Sequence, residues 1–191
     1  MPIMTATEFE IPKTHTAVLQ GEGGSLHVAR GISLPKIGPG HILVKTEAVA
    51  LNPYDFKTPA AFPSPGHYNG CDFAGTVVAL GSDNIRDGGP WKVGDHVFGA
   101  LHGSNPSERE AGSYAGYVKA VSVFTYRIPD WMTFEEAAGL SPCCIASAGM
   151  ALFQTLGLPG TFEEPATEPV DVLVYGGSTS VGSLGIQMVK L

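Results

Sequence analysis

Through the first two thirds of the chain, apolar residues fall into short runs separated by glycine and proline. Thr16-Ala17-Val18-Leu19 and Leu26-His27-Val28-Ala29 read as strands around the turn Gly21-Glu22-Gly23-Gly24. Ile42–Leu51 alternates at Ile42, Val44, Thr46 and Val49 and reads as a longer strand. Asn52-Pro53-Tyr54-Asp55-Phe56-Lys57 opens on Asn-Pro and reads as a turn, and residues 58–69 as proline-rich irregular chain. Further strands are expected at Phe73–Leu80, His96–Ala100 and Ser113–Val121, with a turn-rich loop at Gly81–Pro90. Many short strands with turns between them predict a small β-barrel.

The period then changes. Thr133-Phe134-Glu135-Glu136 has the spacing of a capping box and starts a helix. Cys144–Leu156, apolar on most sides, predicts a second, buried helix. After an acidic, proline-rich connector at 159–169, the β-branched run Val172-Leu173-Val174-Tyr175 predicts a buried strand. The turn Gly176-Gly177-Ser178-Thr179-Ser180 follows, and then a helix with apolar positions at Val181, Leu184, Met188 and Leu191. A strand, a glycine turn and a helix make a phosphate-binding βα unit, because the helix N-terminus offers N–H groups and partial positive charge to a pyrophosphate. The spacing is Gly-Gly-x-x-x-x-Gly rather than the usual fingerprint, so a tight turn without a ligand is the alternative. The expected division is a leader at 1–15, a β-rich domain with linking helices at 16–158, the connector at 159–169 and the start of a nucleotide-binding domain at 170–191. A doubly wound domain needs several more βα units, so that last domain reads as truncated, and Val172–Tyr175 would have unpaired edges.

Composition narrows the classes. Of 191 residues, 43% are hydrophobic and 15% charged, which permits a packed core. A formal net charge of -7 argues against a nucleic-acid surface. The N-terminus carries acids without a long apolar run, so it is not read as a secretory signal. No stretch is seen to approach the ~20 apolar residues of a membrane span. Three cysteines, Cys71, Cys143 and Cys144, make no disulfide framework, which suggests a reducing, cytoplasmic compartment.

The ordered motifs Asn52–Lys57, Gly70-Cys71-Asp72-Phe73-Ala74-Gly75-Thr76-Val77, Val93-Gly94-Asp95-His96-Val97-Phe98-Gly99, Gly112-Ser113-Tyr114-Ala115-Gly116-Tyr117 and Glu136-Ala137-Ala138 resemble the medium-chain dehydrogenase/reductases. Within that superfamily the chain looks most like the fungal trans-acting enoyl reductases that serve polyketide synthases, of the lovastatin type. The pointers are Gly176–Thr179, Asn-Pro-x-Asp-x-Lys and Ile145-Ala146-Ser147-Ala148-Gly149. The resemblance implies an α/β protein with a β-rich part: a GroES-like β-barrel catalytic domain followed by the first βα unit of a Rossmann domain. The zinc branch carries Cys where this chain has Asn52, and Gly-His-Glu where it has Gly70-Cys71-Asp72. Too few ligands remain for a catalytic zinc, so the expectation is no metal, with Cys71 a buried small hydrophobe.

The resemblance also implies a site. NADPH would deliver hydride to the β-carbon of an α,β-unsaturated thioester while the protein orients it and stabilises the enolate. Tyr54, Asp55, Phe56 and Lys57 would lie by the nicotinamide, with Lys57 the cation near developing charge. Ser147 would face nicotinamide and substrate. Ala148 adjoins it, and Met150, Ala151 and Gln154 share the Ser147 face at i+3, i+4 and i+7 as a candidate acyl channel. Ser178, Thr179, Ser180 and Val181 would meet the phosphates. His67, His96 and His102 have no partner at a recognisable spacing and are read as structural.

Three functions follow. The first is an NADPH-dependent trans-acting enoyl reductase, here as an N-terminal part. Its partners would be a polyketide synthase or its acyl carrier domain and, in addition, a completing chain or a second copy; neither nucleic acid nor membrane is expected. The second is a shortened reductase-like module holding a polyketide intermediate without hydride transfer, and the third a quinone-reductase-type enzyme. The length of the intact gene product separates the first two, and a requirement for an acyl-carrier substrate separates the first from the third.

Overall fold

The structure is a computed structural model that describes residues 10–82, 91–140, 142–161 and 163–190. Most of the expected Gly81–Pro90 loop and of the leader lies outside the described residues. The chain forms two compact units, Met1–Gly139 and Leu140–Leu191.

In the first unit, β1 (Thr14–Gln20) and β2 (Leu26–Ser33) form an antiparallel ribbon. The strands β3 (His41–Val49), β4 (Asp72–Leu80), β5 (His96–Ala100), β6 (Tyr117–Val121) and β7 (Thr125–Arg127) make a five-stranded antiparallel sheet, ordered β6-β3-β4-β5-β7. Single bridges, Ala17 to Ala115 and Leu19 to Tyr68, tie the ribbon to the segments around the sheet. The central strand β4 is buried continuously from Asp72 to Val78. It lies between β3 and β5, with α2 (Phe134–Gly139) packed on all three. Ile42, Val44, Phe73, Val77, Val97, Val118 and Ala120 form the middle of the core. The capping box at Thr133 forms as expected: Thr133 N–H donates to Glu136 Oε2 at 2.9 Å, and Glu136 N–H to Thr133 Oγ1 at 3.2 Å.

The reading of Asn52–Lys57 as a turn needs correction. Asn52 is an N-cap, and α1 runs Pro53–Ala61. Proline at the first helical position costs no hydrogen bond, because that N–H has no intrahelical partner. The Ser113–Val121 strand is likewise shorter than expected, since only Tyr117–Val121 joins the ladder.

In the second unit, α3 (Pro142–Gly149) passes into a wider turn at Met150–Thr155, where Leu156 N–H donates to Ala151 O at 3.0 Å. This segment is not buried on most sides: Met150, Ala151, Gln154, Thr155 and Leu156 are exposed. The last helix, α4 (Ser180–Met188), packs on α3. By length and composition alone Phe134–Thr155, 22 residues, qualifies as a membrane span, contrary to the sequence reading; the core helix of a soluble protein passes the same test.

The expected strand Val172–Tyr175 is absent. The backbone there has no ladder partner among the described residues, and Leu173 and Tyr175 are 95% and 101% exposed. A β-strand exists through its neighbours' hydrogen bonds, and an apolar run without a neighbour stays irregular. An apolar cleft of about 550 Å³ lies within the same unit, lined by Phe153, Leu158, Val170, Val172 and Met188 among others.

Candidate active site

The start of α1 is held by buried polar groups. Asp55, 4% exposed, accepts the Asn52 N–H at 2.7 Å and the Tyr114 O–H at 2.6 Å, both on Oδ2. The Tyr114 hydroxyl also lies 3.0 Å from Ala50 O. Burial, then the hydrogen bond and charge of Asp55, push the Tyr114 hydroxyl well above the usual tyrosine range. Asn52 Nδ2 donates to the buried Asp72 Oδ2 at 2.6 Å. Asn69, 1% exposed, donates from Nδ2 to Asp55 O at 2.8 Å and accepts the Ser104 hydroxyl on Oδ1 at 2.8 Å. Asp55 therefore anchors the helix, with its Oδ2 engaged by Asn52 and Tyr114.

The same anchoring puts other α1 side chains on the surface. Phe56 and Lys57 are exposed, with the ammonium 5.9 Å from the Phe56 ring centroid. Tyr54 is half-buried, and its hydroxyl lies 3.0 Å from His102 Nε2. Leu51 and Phe62, flanking α1 in sequence, are exposed as well. His102 thus has a partner that sequence reasoning missed. Of the other two histidines, His67 Nδ1 lies 2.8 Å from Asn105 O, and the His96 ring sits 4.8 Å from that of Phe134. The sequence carried no signal for His102, because its partner stands 48 positions away. Tyr114 lies inside a motif already recognised, but nothing in its spacing pointed to Asp55.

The remaining candidates belong to the second unit. Ser147, Met150, Ala151 and Gln154 are all exposed, so the expected shared face exists, and Ser147 Oγ donates to Cys143 O at 2.8 Å. Ala148 is 2% exposed and turned into packing, so it does not join that face. Thr179 is the N-cap of α4: its Oγ1 accepts the Gly182 N–H at 3.1 Å and donates to Gly176 O at 2.8 Å. That capping occupies the hydroxyl expected to meet phosphate, while Ser178, Ser180 and Val181 are exposed at the helix start. Gly176 has φ 86°, and a Cβ at Gly182 would overlap the Gly176 carbonyl oxygen. Glycine is therefore required for the turn to close on the helix.

Among the described residues no group of three or more His, Cys, Asp or Glu converges as a metal cage. Asn52 and Asp72 bond to each other, and Cys71 is buried.

Residues 38–130 match the alcohol dehydrogenase GroES-like domain. The fold is shared with solved structures, among them an alcohol dehydrogenase superfamily protein from Novosphingobium aromaticivorans: 28% identity, TM-score 0.75, over 93% of this chain and 50% of that one. With the motifs set out above, these place the chain in the medium-chain dehydrogenase/reductase superfamily. Within it, the chain is 79% identical over 183 residues to an enoyl reductase of Chaetomium globosum, covering 96% of this chain and 48% of the relative. It is 56% identical over 182 residues to a trans-enoyl reductase of Pyricularia oryzae, covering 95% and 50%. The chain spans about half the length of these curated relatives.

Proposed function

We propose that the protein is a zinc-independent, NADPH-dependent enoyl reductase that acts in trans on an α,β-unsaturated polyketide thioester carried by a polyketide synthase. The observation that carries this reading is the 79% identity to an enoyl reductase across 183 residues. The geometry is compatible with it. The glycine turn at Gly176, the N-terminus of α4 and the exposed Ser178 and Ser180 suit a pyrophosphate, since backbone approaches closely where side chains are absent. A reduced nicotinamide, when bound, supplies the hydride. In the first unit, α1 offers the Lys57 ammonium on an exposed face, where it stabilises negative charge developing on a thioester oxygen. The exposed face of Ser147, Met150, Ala151 and Gln154 is assigned to the acyl chain.

The test is the full-length gene product with NADPH and an enoyl thioester, on an acyl carrier domain and as a small free analogue. Loss of reduced-nicotinamide absorbance together with a saturated product supports the reading. Lys57→Ala should lower turnover with little change in melting temperature. Turnover of quinones but not enoyl thioesters would assign the protein to the quinone-reductase class instead.

A further inference from the structure

Reduction of a conjugated double bond needs a proton at the α-carbon after hydride reaches the β-carbon. The roles given above to the glycine turn, in binding phosphate, and to Lys57, in offsetting charge, leave the donor unassigned. The best-placed O–H is that of Tyr54. It stands three residues before Lys57 on α1, so the two share a helix face. Its oxygen is 3.0 Å from His102 Nε2, and His102 is itself exposed to solvent.

Both sides of this pair are rigidly held. On the Tyr54 side, the neighbouring Asp55 is fixed by Asn52, Tyr114 and Asn69. On the His102 side, Leu101 N–H donates to Cys71 O at 2.8 Å and Ser104 N–H to Tyr68 O at 2.7 Å. A Cβ at Gly103 would overlap the backbone of Gly70, so that loop lies directly against it. Ser104 has φ 60°, the one non-glycine residue among those described in the left-handed region. Its hydroxyl is spent on Asn69 Oδ1, while Asn69 Nδ2 holds Asp55 O. One buried amide thus clamps the tyrosine helix and the histidine loop together. Backbone strain next to an over-determined polar clamp is typical of sites where geometry has to be kept. A chance surface hydrogen bond would need no such support.

We propose that Tyr54 is the proton donor to the substrate α-carbon and that His102 reloads it; this rests on the enoyl-reductase reading. Hydride adds at the β-carbon, and the π pair moves to give the thioester enolate. The Tyr54 O–H bond breaks as the new C–H bond forms at the α-carbon. His102, in the tautomer or cation bearing hydrogen on Nε2, passes that proton to the tyrosinate oxygen, and solvent restores it. Lys57, one turn further along α1, offsets the negative charge on the enolate and then on the phenolate.

The experiment has a part that needs no substrate. Nitrogen NMR of the full-length protein labelled at histidine should show the His102 Nε2 signal shifted in Tyr54→Phe, with the His15 and His67 signals and the melting temperature unchanged. Then NADPH and an enoyl thioester are reacted in deuterium oxide and the product is read by mass spectrometry and stereochemical analysis. Wild type should place one deuterium at the α-carbon in a single configuration. Tyr54→Phe should slow turnover on the order of 10²-fold and scramble that configuration, and His102→Gln should slow turnover while keeping the configuration. An unmoved His102 signal in Tyr54→Phe, or unchanged rate and configuration, overturns the dyad and leaves the enoyl-reductase reading standing. A wild-type protein that reduces no enoyl thioester overturns both.

Discussion

Replacing Tyr114 by phenylalanine removes one oxygen and leaves the ring in place, so its cost isolates the anchoring of α1. The hydroxyl donates to Asp55 Oδ2 at 2.6 Å. Hydrogen bonds to charged groups contribute about 1.5–3 kcal/mol. The upper half of that range applies here, because Asp55 is 4% exposed and its Oδ1 has no partner to compensate. A loss of about 2–3 kcal/mol is therefore expected, which lowers the urea midpoint by about 1 M at an ordinary slope. Both tryptophans, Trp91 and Trp131, belong to the first unit, so tryptophan fluorescence, excited selectively over tyrosine, follows that unit alone. Because the folded state holds the Tyr114 proton above its ordinary value of 10.0, the folded state binds more protons in alkali. The stability from this group is complete below 10.0 and is lost progressively as pH rises from there towards the raised folded value. The gap between wild type and Tyr114→Phe should then narrow in alkali. A midpoint within about 0.2 M of wild type at neutral pH would refute the assignment of Tyr114 as the anchor.

Three further outcomes are expected. Burial lowers the His15 pKa below its ordinary 6.5, opposed by a backbone hydrogen bond to Ser33; stability is complete above 6.5 and falls on acidification. The fluorescence-monitored urea midpoint should accordingly drop between about pH 7.5 and about pH 5.5, and drop less in His15→Gln. Gly182→Ala should cost about 1–3 kcal/mol of local stability through overpacking on Gly176, read as faster amide exchange across Ser180–Met188; unchanged exchange would show that the close approach is not needed. Elemental analysis of the dialysed protein should find far less than one zinc per chain, because Asn52 and Asp72 are engaged with each other.

What the sequence determined was local or strongly periodic. Thr133 and Glu136 lie within one turn of each other, so their capping box forms from nearest neighbours alone. Phe73–Leu80 and His96–Ala100 were legible because a run of β-branched and aromatic residues between turns has few alternatives. The glycine turn and the start of α4 were legible because paired glycines and short hydroxyl residues precede apolar positions at helical spacing, although only the tertiary structure shows Thr179 spent on capping. Tertiary structure decided what depends on partners far along the chain. Asn52–Lys57 has the punctuation of a turn but becomes a helix whose first turn is held by Tyr114, 59 positions away from Asp55. His102 looked solitary until the fold set it beside Tyr54. Val172–Tyr175 has every residue preference of a strand and is not one here, because preference sets what a segment is able to become and a ladder's hydrogen bonds must come from another segment.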